Sequence, residues 1–369
     1  MKKIKIAHVL GALNSGGAEK IILDLLEKID KNKFDTALIF WKRGPFYEDF
    51  KKITGLKLIE LKSPGNNIFK KSLSFIRLIF DLKKEQKRNN FDVMHVHLPP
   101  LNIPVSLQKV FNKKLKLVYT AHSVNIYEEF FTPYIHIKFN KTFDQITSCS
   151  KKVQDYVEKK QKIKVQTIYN GVKTKEIQQI KKKKNEFINE KNFNIVSVGR
   201  LTEEKGFDKL INNFKLIKAE IPEAKLYICG DGHLRPNLEK LIKDLKLEKD
   251  VKLLGIRKDV YSIMKNCDLF MLLSNWEGLG IVFIEAMACK LPVIGSDVDG
   301  IKEVIEHNNN GYLVKNTDEK TITKLVKKYY EDENLRKMHG EKGLEIAKKN
   351  FDINKITKEY EEMYVKVLR

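Results

Sequence analysis

Short apolar runs alternate along the chain with longer stretches in which apolar positions recur every three or four residues. In the first half the runs are KIAHVLG (5–11), DTALIFW (35–41), LKLIEL (56–61), DVMHVHL (92–98), KLVYTAH (116–122) and QITSCS (145–150). Helical periodicity intervenes, for example over 18–28 and 72–87. The second half repeats the scheme with FNIVSVGRL (193–201), KLYICGDG (225–232), VKLLGI (251–256), DLFMLLS (268–274) and LPVIGSD (291–297). Such β/α alternation predicts parallel sheets covered by helices. It occurs twice, separated by the lysine-rich, strand-free stretch KTKEIQQIKKKKNEFINEK (173–191). The expected division is therefore 1–180 and 181–351, followed by an amphipathic helix over 352–369. Two doubly wound α/β domains with a cleft between them imply a ligand at the carboxyl ends of both sheets.

Composition narrows the partners. The 369 residues suffice for two domains, each with its own core. No apolar run approaches the length that spans a bilayer. The start, MKKIKIAHVLGAL, mimics a signal peptide, but His8 interrupts it and NSGGAEK replaces a cleavage site, so it reads as a strand feeding a glycine loop. The four cysteines form no CxxC pair or zinc pattern, and a reducing cytoplasm fits them. Charge is uneven. Residues 1–190 hold 38 Lys+Arg against 19 Asp+Glu, whereas 191–369 hold 32 against 29. An excess on one half points to an anionic partner such as lipid headgroups or a diphosphate. No RNP, KH, zinc-finger or helix-turn-helix signature accompanies it, so nucleic acid is not expected.

The chemistry-bearing motifs follow strands. LGALNSGGAEKIILDLL brings Gly16 and Gly17 to a helix start, where backbone N–H groups can approach an anion; a tight βα turn is the plain alternative. SVGRLTEEKGFDKLI places Arg200 and Lys205 at the end of a strand, where two cations suit a leaving diphosphate. EGLGIVFIEAM (277–287) sets Glu277 in a loop and Glu285 in the helix beginning near Ile281. The glycines between them allow a sharp turn and leave the first helical N–H groups free. Two carboxylates around such a helix start suit the hydroxyls and phosphates of a nucleotide sugar.

Taken together, GGAE (16–19), NGV (170–172), VGRL…KG (198–206), CGDG (229–232) and NWEGLGIVFIEAMACKLPVIGSD (275–297) resemble, in order, the motifs of retaining family-4 glycosyltransferases with the GT-B fold. The resemblance covers essentially the whole chain. It implies two Rossmann-like domains facing across a cleft, with helix 352–369 crossing back to the first, acceptor-binding domain. It implies a nucleotide sugar, UDP-linked, as co-substrate and no other cofactor. Glu285 would bind the ribose and Glu277 the transferred sugar. Arg200 and Lys205 would hold the diphosphate, helped by amides near Gly16–Gly17 and Gly278, Leu279, Gly280, Ile281 and Val282. Ile256 and Arg257 would meet the base. His122 matches the histidine that approaches the donor sugar, which completes a catalytic set of His122, Arg200, Lys205 and Glu277. His97 and Asn170 are acceptor-side candidates, with a core role for His97 and His95 as the alternative.

The resemblance further implies transfer with retention by front-face attack, in which the departing phosphate would accept the acceptor's proton. Asp297-x-Asp299 has the form of a metal-binding DxD, but the resemblance puts an ordinary turn there, so no metal is expected. The acceptor would be a glycan or lipid-linked saccharide. The segments 74–88 and 126–143 combine apolar and basic residues and could rest on an anionic membrane surface, so the expected location is the cytoplasm, with contact at the cytoplasmic face of a bacterial inner membrane suggested by these segments. Rival readings are a UDP-sugar 2-epimerase on the same fold and a non-catalytic basic binding module.

Overall fold

In the computed structural model, which describes residues 2–14, 16–62, 68–98, 100–122, 138–184, 186–315 and 317–369, the apolar runs form two parallel sheets. The first contains β1 (Ile4–Val9), β2 (Phe34–Phe40), β3 (Lys57–Glu60), β4 (Val93–Val96), β5 (Lys116–Ala121), β6 (Gln145–Ser148) and β7 (Gln166–Thr167), in the order β3-β2-β1-β4-β5-β6-β7. The second contains β8 (Phe193–Val198), β9 (Ala224–Cys229), β10 (Val251–Gly255), β11 (Leu269–Leu272), β12 (Val293–Ser296) and β13 (Gly311–Val314), in the order β10-β9-β8-β11-β12-β13. Within each sheet the strands pair in parallel. Near-continuous apolar strands such as LFML and VMHV follow from this, because both faces of a parallel sheet are covered. Strand order reverses between β1 and β4 and between β8 and β11, so ligand-binding crevices open at the carboxyl ends of those four strands.

The chain divides into two compact units, Met1–Gly171 with Ile353–Arg369, and Val172–Asp352. The lysine-rich stretch at 173–191 lies inside the second unit, where it starts with the helix Thr174–Gln179 and buries Ile177. Ile353–Leu368 forms the terminal helix of the first unit. Its Ile356, Tyr360, Met363 and Tyr364, on one helical face, cover Ile6, Phe34, Val93, Val118 and Ile168. Two strands, β7 and β13, have no counterpart in the sequence pattern. β7 has two residues, too few for a period, and the apolar GYLV of β13 follows an asparagine-rich turn.

Across the first sheet runs a buried polar line. His8 on β1 stands opposite His95 on β4, and Thr120 on β5 opposite Thr147 on β6. His97 and His122 continue the same faces just past the ends of β4 and β5, since side chains two apart share a face. Tyr360 and Tyr364 of the terminal helix lie over His95.

Candidate active site

In the second unit, the exits of β8 and β11 hold one constellation. Lys205 Nζ donates to Glu277 Oε1 at 2.6 Å, and Ser274 Oγ donates to the same oxygen at 3.0 Å. The pair is sheltered, with side-chain exposures of 16% for Lys205 and 9% for Glu277. Gly206 brings them together. Its φ of +59° ends the short 3-10 turn Glu203–Lys205, and a Cβ there would stand 2.2 Å from the Leu273 carbonyl oxygen. Only glycine lets the loop after β8 lie against the end of β11.

Arg200 stands apart from the pair, 66% exposed, with Glu204 Oε1 at 3.2 Å. Gly280, at φ +70°, is the N-cap of the helix Ile281–Ala288 and, as glycine, offers no side chain to cap that helix start. Leu279 is buried beneath the turn. Glu285 Oε1 accepts from the Tyr261 hydroxyl at 2.6 Å. Ile256 is exposed, and the Arg257 guanidinium makes a two-pronged pair with Asp259 at 2.8 and 2.7 Å. Asp297 pairs with Lys302 at 3.2 Å, and Asp299 opens the helix Asp299–Lys302.

In the first unit, Gly16 caps the helix Gly17–Lys28. Glu19, buried in its first turn, folds back so that a Cβ on Gly16 would meet its Oε2 at 2.2 Å. A carboxylate three residues into a helix reaches back to the N-cap in this way, so an anionic side chain already occupies this helix start. His97 is buried and links to His8 and His122, with His8 Nδ1 to His97 Nε2 at 2.9 Å and His97 Nδ1 to His122 Nε2 at 3.4 Å. Desolvation brings the His8 pKa down to about 3 and that of His122 to about 4. Burial, with repulsion between the rings, holds His95 and His97 well below the usual histidine value. Asn170 is buried, and its Oδ1 has no hydrogen-bond partner among the described residues. Of the acceptor segment at 126–143, residues 126–137 lie outside the described residues.

Family models match both halves: Glycosyltransferase Family 4 over residues 15–176 and Glycosyl transferases group 1 over 178–345. The N-acetylgalactosaminyltransferase of Campylobacter jejuni that acts on N-acetylgalactosamine-N,N'-diacetylbacillosaminyl-diphospho-undecaprenol is 30% identical over 366 residues, 96% of this chain and 98% of the relative. The chain belongs to the group 1 glycosyltransferases. N-acetyl-alpha-D-glucosaminyl L-malate synthase of Bacillus anthracis is likewise 30% identical, over 77% of each chain. Anabaena HepE, solved with UDP and glucose, superposes with a TM-score of 0.83 at 20% identity, covering 98% of this chain and all of that one. The fold of the transferase is thus GT-B, with two Rossmann-like domains. Among its described residues no helix is long and apolar enough to cross a membrane.

Sequence reasoning missed three side chains of the candidate site. Ser274 and Tyr261 hydrogen-bond to the two motif glutamates, and Glu204 pairs with Arg200. Ser274 had a faint signal, as the first polar residue after β11. Tyr261 had none, because it sits 24 positions from Glu285 on a separate short helix.

Proposed function

We propose that this transferase moves a hexose or N-acetylhexosamine from a UDP-sugar to a glycan or lipid-linked saccharide in bacterial glycan biosynthesis, with retention of configuration and without a metal ion. The observation that carries the reading is the sheltered Lys205–Ser274–Glu277 constellation beside the uncapped helix start at Gly280. In the resting protein Lys205 neutralises Glu277. A bound diphosphate draws the ammonium to itself and frees the Glu277 carboxylate for sugar hydroxyls. Arg200 supplies the second cation, and the N–H groups at Ile281 and Val282 meet phosphate oxygen. Glu285 takes the ribose hydroxyls, with Tyr261 holding the carboxylate, and Ile256 and Arg257 meet the base.

As the leaving diphosphate accumulates charge, this clamp stabilises it. Its departing oxygen takes the proton of the attacking hydroxyl, so the front-face route needs neither a separate base nor the opposed nucleophile of a double displacement. HepE with UDP and glucose supports a UDP-linked donor, and the Campylobacter relative's diphospho-undecaprenol substrate supports a lipid-linked acceptor.

A surface of the first unit supports contact with anionic lipid at the cytoplasmic face. Ile76, Phe80, Val110 and Phe111 are exposed, with the Phe80 and Phe111 ring centroids 6.5 Å apart. The Lys83 ammonium lies 4.1 Å from the Phe111 ring centroid, and Lys84, Lys87, Lys113 and Lys114 are exposed nearby in sequence. An apolar patch with a basic border suits an anionic bilayer surface.

The test is nucleotide release from a panel of UDP- and GDP-sugars in EDTA, with and without bacterial lipid extract. Release from one UDP-sugar that rises with the lipid fraction is the expected result. Release only after Mn²⁺ is added overturns the metal-free reading, and epimerised donor without transfer favours the 2-epimerase.

A further inference from the structure

The two histidine links described above belong to a longer hydrogen-bonded row. At its inner end, His8 Nε2 lies 3.5 Å from the Tyr364 hydroxyl, which is 2.6 Å from His95 Nδ1. His95 Nε2 continues to Thr120 Oγ1 at 2.7 Å, and Thr120 Oγ1 to Thr147 Oγ1 at 2.6 Å. At its outer end, His122 Nδ1 is buried and has no hydrogen-bond partner among the described residues.

A neutral imidazole carries one N–H and one lone pair. Each nitrogen–nitrogen link needs one of each, and His97 shares both its nitrogens between links, so fixing one ring fixes its neighbours. Two arrangements satisfy both links among His8, His97 and His122: a proton on every Nδ1, or a proton on every Nε2. The open end decides between them. A buried N–H without an acceptor is rarer in folded proteins than an unused lone pair. With protons on Nε2, every donor points the same way, from His122 through His97, His8, Tyr364, His95 and Thr120 to Thr147. Links aligned in one direction also polarise and strengthen one another.

We propose that His8, His97 and Tyr364 are positioning residues that hold His122 as its Nε2–H tautomer, so that the Nδ1 lone pair accepts a hydrogen bond from a sugar hydroxyl bound at the carboxyl end of the first sheet. The identity of that ligand rests on the transferase reading; the tautomer does not. The row selects for a hydroxyl, because a phosphate or carbonyl oxygen at Nδ1 would require reversal of each proton behind it. His8, His95 and His97 also place ligand nitrogens within 4.8 Å of one another, as a metal would need. Those nitrogens already face one another or hydroxyls, which accounts for their approach by protons alone.

The experiment is two-bond ¹H–¹⁵N NMR of the full chain labelled with ¹⁵N-histidine at pH 7.5, with peaks assigned by single substitutions. His8, His97 and His122 should each show a protonated Nε2 and a bare Nδ1. A proton on Nδ1 of any of the three, a charged ring, or stoichiometric bound zinc overturns the proposal. His8→Leu removes the acceptor of the His97 Nε2–H. His97 and His122 should then both shift to Nδ1–H, and kcat/KM for nucleotide release should fall about tenfold, the effect of one hydrogen bond. His8→Asn keeps an acceptor oxygen near the position of Nδ1 and should keep both the tautomer and the rate. If His8 served structure alone, His8→Leu would lower stability and leave the His122 tautomer unmoved, which sinks the idea. Should His8→Leu not fold, Tyr364→Phe removes the acceptor of the His8 Nε2–H while keeping the ring, and the same shift is expected. If the tautomers are as stated and the parent protein releases no nucleotide from any donor, the row stands and the donor reading falls.

Discussion

Lys205 and Glu277 illustrate how a side chain is set by charge as much as by packing. Lys205→Ala leaves a sheltered carboxylate without its cation, with Ser274 as its other donor among the described residues. A charged hydrogen bond of this kind, discounted for partial exposure, is worth about 2 kcal/mol. The expected result is a lower urea midpoint together with a kcat/KM reduced about 100-fold, since in the proposed mechanism the ammonium also serves the leaving diphosphate. Activity unchanged by this substitution would remove Lys205 from the mechanism.

The histidines predict an acid-sensitive fold. Their folded pKa values lie below the unfolded value near 6.5, so the unfolded chain binds protons that the folded one refuses. Their contribution is complete above about pH 6.5 and is lost as pH falls towards 4, by up to about 1.4 kcal/mol per pH unit for each ring. The Lys31 ammonium lowers His8 further, while Tyr360, raised to about 12, and Tyr364 stay neutral throughout this window. Denaturant unfolding at pH 7, 6 and 5 should show this slope, and His8→Asn should reduce it by one proton. A midpoint independent of pH over that range contradicts the burial of neutral rings.

At the scale of elements, loops and short helices decide the site. Gly206→Ala forces a Cβ onto the Leu273 carbonyl and so pushes the loop after β8 away from β11. We expect a loss of at least about 2 kcal/mol, a fall of roughly 4–8 °C in the melting temperature of the second unit. Catalytic loss should exceed the stability loss, because Lys205 moves with the loop. On the first unit, the helix Ile68–Asn89 and the helix Gln108–Phe111 together expose the apolar patch. Replacing Phe80 and Phe111 by Ser should lower binding to vesicles containing anionic lipid, with little change in nucleotide release from donor alone. Equal binding of parent and variant in a flotation assay would dismiss this surface as the membrane contact.

The whole molecule depends on its last helix returning to its first unit. Truncation after Asp352 strips Ile356, Tyr360, Met363 and Tyr364 from the core around Ile6 and Val118. At about 1.5–3 kcal/mol for each fully buried large apolar side chain, that exceeds the margin of most domains. Limited proteolysis of the truncated chain should digest the first unit and spare Val172–Asp352; resistance of both would refute the dependence. The sequence by itself determined the alternation of strands and helices, the parallel sheets and the positions of Glu277, Glu285, Arg200 and Lys205, because these rest on periodicity and on short motifs. Where the units divide, at Gly171 rather than within the lysine-rich stretch, depended on tertiary structure, since packing of Ile177 outweighs local composition. Tertiary structure alone also joined His8 to Tyr364 across 356 positions, set Tyr261 on Glu285 and paired Lys205 with Glu277 across 72. Such contacts carry no local periodicity, because they arise only when strand order brings distant segments to one crevice.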